Sequence, residues 1–580
     1  MNISTAKNES FDLSTFKIRI EGVDIPDTYQ IVSISVKKSI NRIPSAQIVL
    51  ADGDVARQDF VISSGDLFVP GKEIEILAGY HGKNELIFRG MIIEHGISSR
   101  IRRSSRLIIK CKDKAVRMTL GRKNEIYKNS KDSDAIEEIL DDYELGRAVT
   151  ETATRHQELV KYAATDWDFM VTRAEKNGLL VVVDNGDVSL FAPDMKKEPV
   201  FDLVYGDNIF EFEANIDSRR QVNGVSGVSW DYADQRIIEE EADAPDFEEP
   251  GNLPGKDLAK SAPLQRIQLK HSGNLPDQEL RAWANTKLLK SRLAKITGRI
   301  KTQGFAEIKP GDLISLLGVG ARFAGKHLVS GISHSISSTD WETDIQIGLS
   351  ETWFTDINDI NDKQASGLIP SVNGLQIGIV SQLEKDPTGD DRILVKMPVF
   401  DADDEGIWAR VARLDAGKDR GSFFLPEIGD EVIVGYISDD PRNPVVLGML
   451  NSSAKPAPIE ATDDNHEKGF VTRSQMKLAF NDEKKILTLS TPKKKKIEIN
   501  EDAGTILITD ENGNALEMTS NGISITSSGE INISAKKDLN LKGLNLNSEA
   551  KTQFSAQGKA GVEIKSSGIA VLKGSLVKIN

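Results

Sequence analysis

Three carboxylates crowd the run "PEIGDEV": Glu427, Asp430 and Glu431. Paired acids are the minimum equipment for general acid–base cleavage of a glycosidic bond. Their surroundings argue against that chemistry. Pro426 and the Gly429-Asp430 step are turn-formers between two strand-like runs, so the spacing is that of a tight corner, and no catalytic residue is assigned. The seven histidines, His81, His95, His156, His271, His327, His334 and His466, are scattered. His327 and His334 lie seven apart in one strand-like segment and would face opposite sides of a regular strand. Without cysteine partners or a paired His motif, neither a metal nor a cofactor is expected. Lys493–Lys496 could touch phosphates, but no aromatic residue interleaves with them, and a solvated corner explains them better.

The chain that must position these groups has 580 residues, 39% hydrophobic and 28% charged, enough for several cores. Its net charge of −15 disfavours wholesale nucleic-acid binding. The charge is uneven: from Phe470 onward sixteen Lys/Arg face twelve Asp/Glu, so this last stretch is mildly basic and the rest acidic. The single cysteine, Cys111 in "RLIIKCKDK", excludes an internal disulfide and reads as a small buried hydrophobe. The N-terminus shows no apolar signal core and no run of eighteen apolar residues occurs. Assembly in the cytoplasm without a signal peptide is therefore expected.

The last hundred or so residues organise the whole. Short apolar–polar–apolar strands return about every eight residues: Ile506/Ile508, Leu516/Met518, Ile523/Ile525, Ile531/Ile533, Leu539/Leu541, Val562/Ile564, Ile569/Val571 and Val577/Ile579. Gly504, Gly513, Gly522 and later glycines stand at the corners. A fixed short period marks a β-solenoid. Each strand offers two inward apolar residues, too few for one chain to build a filled interior. Three intertwined chains would close every edge and bury every row, at roughly 1.5–3 kcal/mol per side chain. A triple-stranded β-helix is thus expected over 470–580, a needle on the order of 60 Å long at about 4.8 Å per strand. The pairs from Ile506 to Leu541, with Val562 and Ile564, would form its trimer core. A monomeric β-helix or a flat meander is the alternative. No histidine lies beyond His466, so a self-contained metal-capped tip is not expected, and the last row, Val577, Ile579 and Asn580, would need a separate capping protein.

The rest of the chain is also mainly β. Strand-length runs fill residues 1–130 and 200–350, and each set reads as a closed or nearly closed barrel within a region ending near residue 365. Between them the period becomes helical. One helix starts with Asp132 or Ser133 as N-cap. A second starts at Thr165 or Asp166, with Gly178 past its end, and a hairpin follows with its turn at Asp184–Asp187. A further helix is expected around 277–293. Residues 239–255 hold seven acids and three prolines and read as a mobile, solvated loop. Five strands over 372–451 fit an OB-fold, joined to the needle by a polar linker, 452–469. Its aromatics are limited to Phe400, Trp408, Phe423, Phe424 and Tyr436, which suits a packing collar better than an oligonucleotide site.

Several segments are specific enough to suggest a family. Pro426–Val432 and the stretch from Asp440-Pro441 to Leu450-Asn451 close the OB-like module. "ATDWDFMVTRAEKNGLLVVVDNGDVSL" and "IKPGDLISLLGVGARFAGKHLVSGISHSI" precede it; "KGFVTRSQMKLAFNDEKKILTLSTP" and "ITDENGNALEM" follow it. Together they resemble the VgrG family of contractile-injection spike proteins, in which a tail hub, an OB-fold and a β-helical needle lie on one chain. The resemblance implies a homotrimer and no enzymatic role. Two barrels per chain would form a six-fold-like ring, adapting a hexameric inner tube to a three-fold needle. It also implies baseplate partners, a PAAR-like tip protein at the C-terminal end, effector cargo and no nucleic acid. The overall plan is most similar to extracellular phage-tail-like injection particles and Bacteroidetes type VI secretion systems. Some phage needles carry a lysozyme domain after the OB-fold; the interval 452–469 is too short for one. A trimeric tail fibre or adhesin is the rival reading, but it would require a distal globular head.

Overall fold

The computed structural model describes residues 13–100, 103–261, 265–338, 340–399 and 405–579. It divides into two compact units, Met1–Ser371 and Val372–Asn580. Among the described residues no helix is long and apolar enough to cross a membrane.

The first unit is built on one thirteen-stranded sheet. Alternation dictates its strands: in Arg42–Ala51, Ala46, Ile48 and Leu50 point into the core while Ser45 and Gln47 do not. The two expected barrels do not stand apart. Strand Ile31–Ser39 pairs on one edge with Arg42–Ala51 and on the other with Gly325–Ile336, placing Val36 opposite His334 and Ile34 opposite Ile336. That edge-to-edge join merges the early and late strand sets into a single sheet. Each set keeps its own core. Ile48, Phe68, Ile74 and Phe88 are central to one, and Ile300, Leu316, Val329 and Ile345 to the other. Cys111 lies in the first core, where burial pushes its thiol up to about 12, so it behaves as a hydrophobe.

A third core forms under the helical insertion, from Ile136, Leu140, Met170, Ala174, Val181 and Val183. Helix Asp132–Asp141 is capped by Lys131, not by Asp132 or Ser133: the Lys131 N–H donates to Asp134 Oδ2 at 3.1 Å. Asp132 is instead buried in an ion pair with Arg173, which holds it inside the first turn. Helix Asp166–Lys176 starts at Thr165, whose Oγ1 accepts the Asp168 N–H at 3.0 Å, and ends before Gly178 at φ +75°. Asn185 and Gly186, both at positive φ, turn the Leu180–Asp184 strand back into Asp187–Phe191. Helix Asp277–Leu293 packs on the strand Gly224–Asp231 through Ala284 and Leu288.

The acidic stretch 239–255 is a loop from 242 to 254 with Asp243, Asp246 and Glu248 exposed, as its composition suggests, but it is anchored by specific contacts. Its first residues belong to the strand Arg236–Glu241, and Glu240 pairs with Arg281 at 2.6 Å. Further on, Glu249 accepts from Lys295 Nζ and from the Gly255 N–H, each at 2.7 Å, while the Gly251 N–H donates to Ala324 O at 2.8 Å. The buried Lys295 and the exposed Arg281, supplied from far along the chain, fix what the local sequence leaves loose.

In the second unit, strands Gln376–Gln382, Ile393–Lys396, Ile407–Val411, Glu431–Tyr436 and Pro444–Met449 form a closed five-stranded barrel around Val380, Val395, Ala409, Val434 and Val446. Phe400 lies outside the described residues. After a polar connection, a seven-stranded antiparallel meander runs from Glu467–Val471 to Gly522–Thr526.

Candidate functional site: the apolar face of the shaft

The clustered carboxylates, the strand histidines and the lysine run are structurally committed. Asp430 Oδ2 accepts the Glu427 N–H at 2.9 Å, and its other oxygen takes Lys455 Nζ at 3.1 Å. Glu427 pairs with Arg473 at 2.8 Å, and Glu431 opens a barrel strand. His327 and His334 are both buried. His327 Nε2 lies 2.7 Å from Phe323 O, and His334 Nδ1 lies 2.8 Å from Thr343 Oγ1. No cluster able to hold a metal is found among the described residues. The lysine run forms a corner: the Thr491 N–H donates to Lys495 O, Lys494 has φ +65°, and Lys495 pairs with Glu511 at 2.6 Å.

The feature with consequences is the meander. Its register stacks like on like. One column reads Phe470, Leu478, Leu489, Ile497, Ile508, Leu516, Ile525, each directly opposite the next. Beside it runs Phe480, Leu487, Ile499, Ile506, Met518, Ile523. The other face carries Thr488, Glu498, Leu507, Glu517 and Ser524 in the same register. Strand alternation therefore sorts the shaft into one apolar and one largely polar face. The apolar face has no cover within the chain: Ile506 is 40% exposed and Ile523 68%. A trough of about 800 Å³ follows the first column from Leu489 to Ile525 and takes in Ile531.

Tight corners hold this register. Asp510 accepts the backbone N–H groups of Asn512 and Asn514, both at 2.9 Å, and the Asn514 side chain at 2.8 Å; these bonds hold its carboxyl down at about 2. At the barrel end, Phe424 stacks on Phe470 with ring centroids 5.4 Å apart.

The sequence-derived core set maps unevenly onto this face. Ile506, Ile508, Leu516, Met518, Ile523 and Ile525 lie on it, whereas no strand ladder forms beyond Thr526 among the described residues. There Ile531, Ile533, Leu539, Leu541, Val562, Ile564, Val577 and Ile579 are exposed, and Asn580 lies outside the described residues. The flat meander weighed as an alternative is the arrangement that one chain adopts as far as Thr526. Sequence reasoning missed Phe470, Leu478, Phe480, Leu487, Leu489, Ile497 and Ile499, which extend both columns toward the barrel. Their alternation in "MKLAF", "ILTLS" and "KIEIN" was the available signal, but they recur at nine or ten residues and escape an eight-residue period.

A thirteen-stranded sheet, a closed five-stranded barrel and a meander with one apolar face are the parts to be compared with known proteins. The family model described as the Alg8 N-terminal domain matches residues 10–338, and that of the type VI secretion system/phage-baseplate injector OB domain matches residues 376–450. The chain belongs to the Alg8 N-terminal-domain family. It is 22% identical over 386 residues to the type VI secretion system spike protein VgrG1b of Pseudomonas aeruginosa, covering 60% of this chain and 49% of that one. To VgrG1a of the same organism it is 26% identical over 161 residues, covering 26% and 25%. Each match thus spans half or less of the curated relative's length. The tail protein from Neisseria meningitidis MC58 superimposes with a TM-score of 0.43 at 14% identity, covering 59% of this chain and 98% of that one.

Proposed function

We propose that this chain is the central spike and hub of a contractile injection apparatus, acting as a homotrimer. The observation that carries the trimer is the uncovered pair of apolar columns. A contiguous apolar face this long marks a surface that another chain covers. Three copies around one axis would bury both columns, at roughly 1.5–3 kcal/mol for each side chain fully covered. They would also give residues 527–579 neighbours to pair with. A shaft closed in this way has no free edge to peel, which is the stiffness a puncturing needle requires.

In this reading the first unit faces the inner-tube or tube-initiator protein and matches its hexameric symmetry to a three-fold needle. Baseplate components surround it. The C-terminal row, Val577, Ile579 and Asn580, seats a PAAR-like tip protein, and effector cargo travels with the assembly. The energy for penetration comes from contraction of the surrounding sheath, so the chain needs no catalytic group. Assembly in the cytoplasm and action at a target cell surface, in an extracellular particle or a Bacteroidetes-type secretion system, complete the proposal.

Light scattering on the purified chain tests it. A mass three times the 63.7 kDa of one chain is expected. A monomer at micromolar concentration would overturn the trimeric needle.

A further inference from the structure

On the first unit, three cations converge that make no ion pair among the described residues. Lys37, Ser45 and Lys112 sit opposite one another on three adjacent strands, so their side chains leave the same face of the sheet. Arg42, in the hairpin between the first two strands, reaches the same place: burial, aided by the Arg42 charge, pushes the Lys112 ammonium below its usual range. The three line a pocket of about 520 Å³.

Two acids share the lining. Asp168 accepts from the Thr165 hydroxyl, a neutral group, at 2.7 Å, while Glu175 binds Lys290 and the Phe354 N–H. Lys38, on the opposite face of its strand, has its own partner in Asp184. Among the described residues Lys37, Arg42 and Lys112 make no ion pair and, with Lys290 matched by Glu175, they outnumber the remaining acid Asp168, so an anion that joins them would relieve their mutual repulsion. The remaining wall is mixed: Asn41, Ser350 and Thr352 stand beside Trp167 and Phe354, which are largely buried, and Ile357 stands at the rim, 55% exposed.

We propose that this pocket docks an acidic peptide segment of a partner protein, with carboxylates on Lys37, Arg42 and Lys112 and an apolar side chain against Trp167, Phe354 and Ile357. The chemistry selects among anions. A free phosphate would use the cations and leave Ile357 uncovered. A nucleic acid, with a phosphate at every nucleotide, would meet more repulsion from a chain of net charge −15 than a short peptide does. The chain's own acidic stretch is a poor occupant, because Glu240, Glu241 and Glu249 are tied to Arg281, Arg266 and Lys295. A peptide alternating acid and apolar residues satisfies both walls at once.

The test uses the full chain and a fluorescein-labelled peptide of alternating glutamate and leucine, read by anisotropy in low salt. Saturable binding is expected. Lys37→Gln with Lys112→Gln should weaken it about tenfold, and Ile357→Ser should weaken it while the melting temperature holds. Raising the salt to about 300 mM should also weaken it. Equal binding by wild type and the double variant would overturn the proposal. So would displacement of the peptide by inorganic phosphate or a short single-stranded DNA at matched concentration. A change in oligomeric mass in the double variant would assign the pocket to a second copy of the chain and overturn it equally. Lys37→Gln alone, at an exposed position, guards against a folding artefact in the double variant.

Discussion

Lys161 Nζ lies 2.6 Å from Asp166 Oδ1, both side chains are buried, and the pair ties the strand Arg155–Ala164 to the first turn of helix Asp166–Lys176. The ammonium also donates to Glu125 Oε2 at 2.6 Å and to the Tyr127 hydroxyl at 3.2 Å. Burial by itself would raise the Asp166 carboxyl. Hydrogen bonds from Lys123, Lys161 and Tyr143 outweigh it and leave Asp166 below the usual carboxylate range. Because the folded value is depressed, this stability is present above the unfolded value near 4 and is lost as pH falls below it. Lys161→Met removes one partner of a buried pair, and a loss of about 3 kcal/mol is expected. Urea unfolding followed by tryptophan fluorescence measures it; a midpoint unchanged from wild type would show the pair to be energetically idle.

A second pH response comes from His334, enclosed between Thr343 and the ring of Trp341, whose centroid is 5.8 Å away. Burial, reinforced by the charge of Lys38, pushes its imidazole down to about 3. Between the unfolded value near 6.5 and about 3, the unfolded chain binds a proton that the folded chain refuses. Stability must therefore fall as pH falls through this window, by about 1.4 kcal/mol per pH unit from this group. His334→Gln, which can keep a bond to Thr343, should flatten the dependence between pH 6 and pH 4 on the ~6.5-to-3 scale just given. Parallel slopes for the two proteins would assign the acid sensitivity elsewhere.

Glu249 reaches Lys295, which is 1% exposed and also donates to Pro250 O and Leu253 O at 2.8 and 2.9 Å. Glu249→Gln leaves that ammonium without its carboxylate, and about 3 kcal/mol of local stability should go with it. Gly251 makes the same segment sensitive in another way. Its φ is +77°, and a Cβ there would lie 2.2 Å from Arg322 O, so Gly251→Ala should release the stretch as well. Limited proteolysis should show new cleavage between residues 242 and 255 in both variants. Resistance equal to wild type would mean that other contacts hold the segment.

The segment also marks where the sequence stops being readable. Local chemistry was legible: Thr165 as a cap, Gly178 past a helix end and the Asn185-Gly186 turn each depend on neighbours a few residues away. The OB barrel was legible because its five strands alternate cleanly and pair within eighty residues. Composition showed the loop at 239–255 but not its anchors, since the cations that pair with its acids lie at 266, 281 and 295 and leave no local trace. It misled at Asp132, whose type suits an N-cap but whose carboxylate is claimed by Arg173. The join between Ile31–Ser39 and Gly325–Ile336 was invisible for the same reason: an edge strand and a central strand can share one alternation pattern. On the shaft, the alternation was legible in every strand, but a fixed period was too rigid a filter near the barrel.

Ile508 is the position where the shaft reading is most exposed to test. It faces Ile497 on one side and Leu516 on the other, in the middle of the column, and is 41% exposed in a single chain. An aspartate there would remain in contact with water in one chain, so folding of the monomer should be unaffected. In the proposed trimer the same change would bring three carboxylates toward one axis, at several kcal/mol per uncompensated charge. Ile508→Asp should therefore abolish the trimer while leaving hub secondary structure intact, and Ile531→Asp, at the far end of the trough, should act in the same direction. Glu517→Gln, on the polar face, is the control and should leave the mass unchanged. Light scattering with circular dichroism reads all three variants. An Ile508→Asp protein that keeps the trimeric mass would place the columns away from any shared axis, and the apolar face would then need another cover.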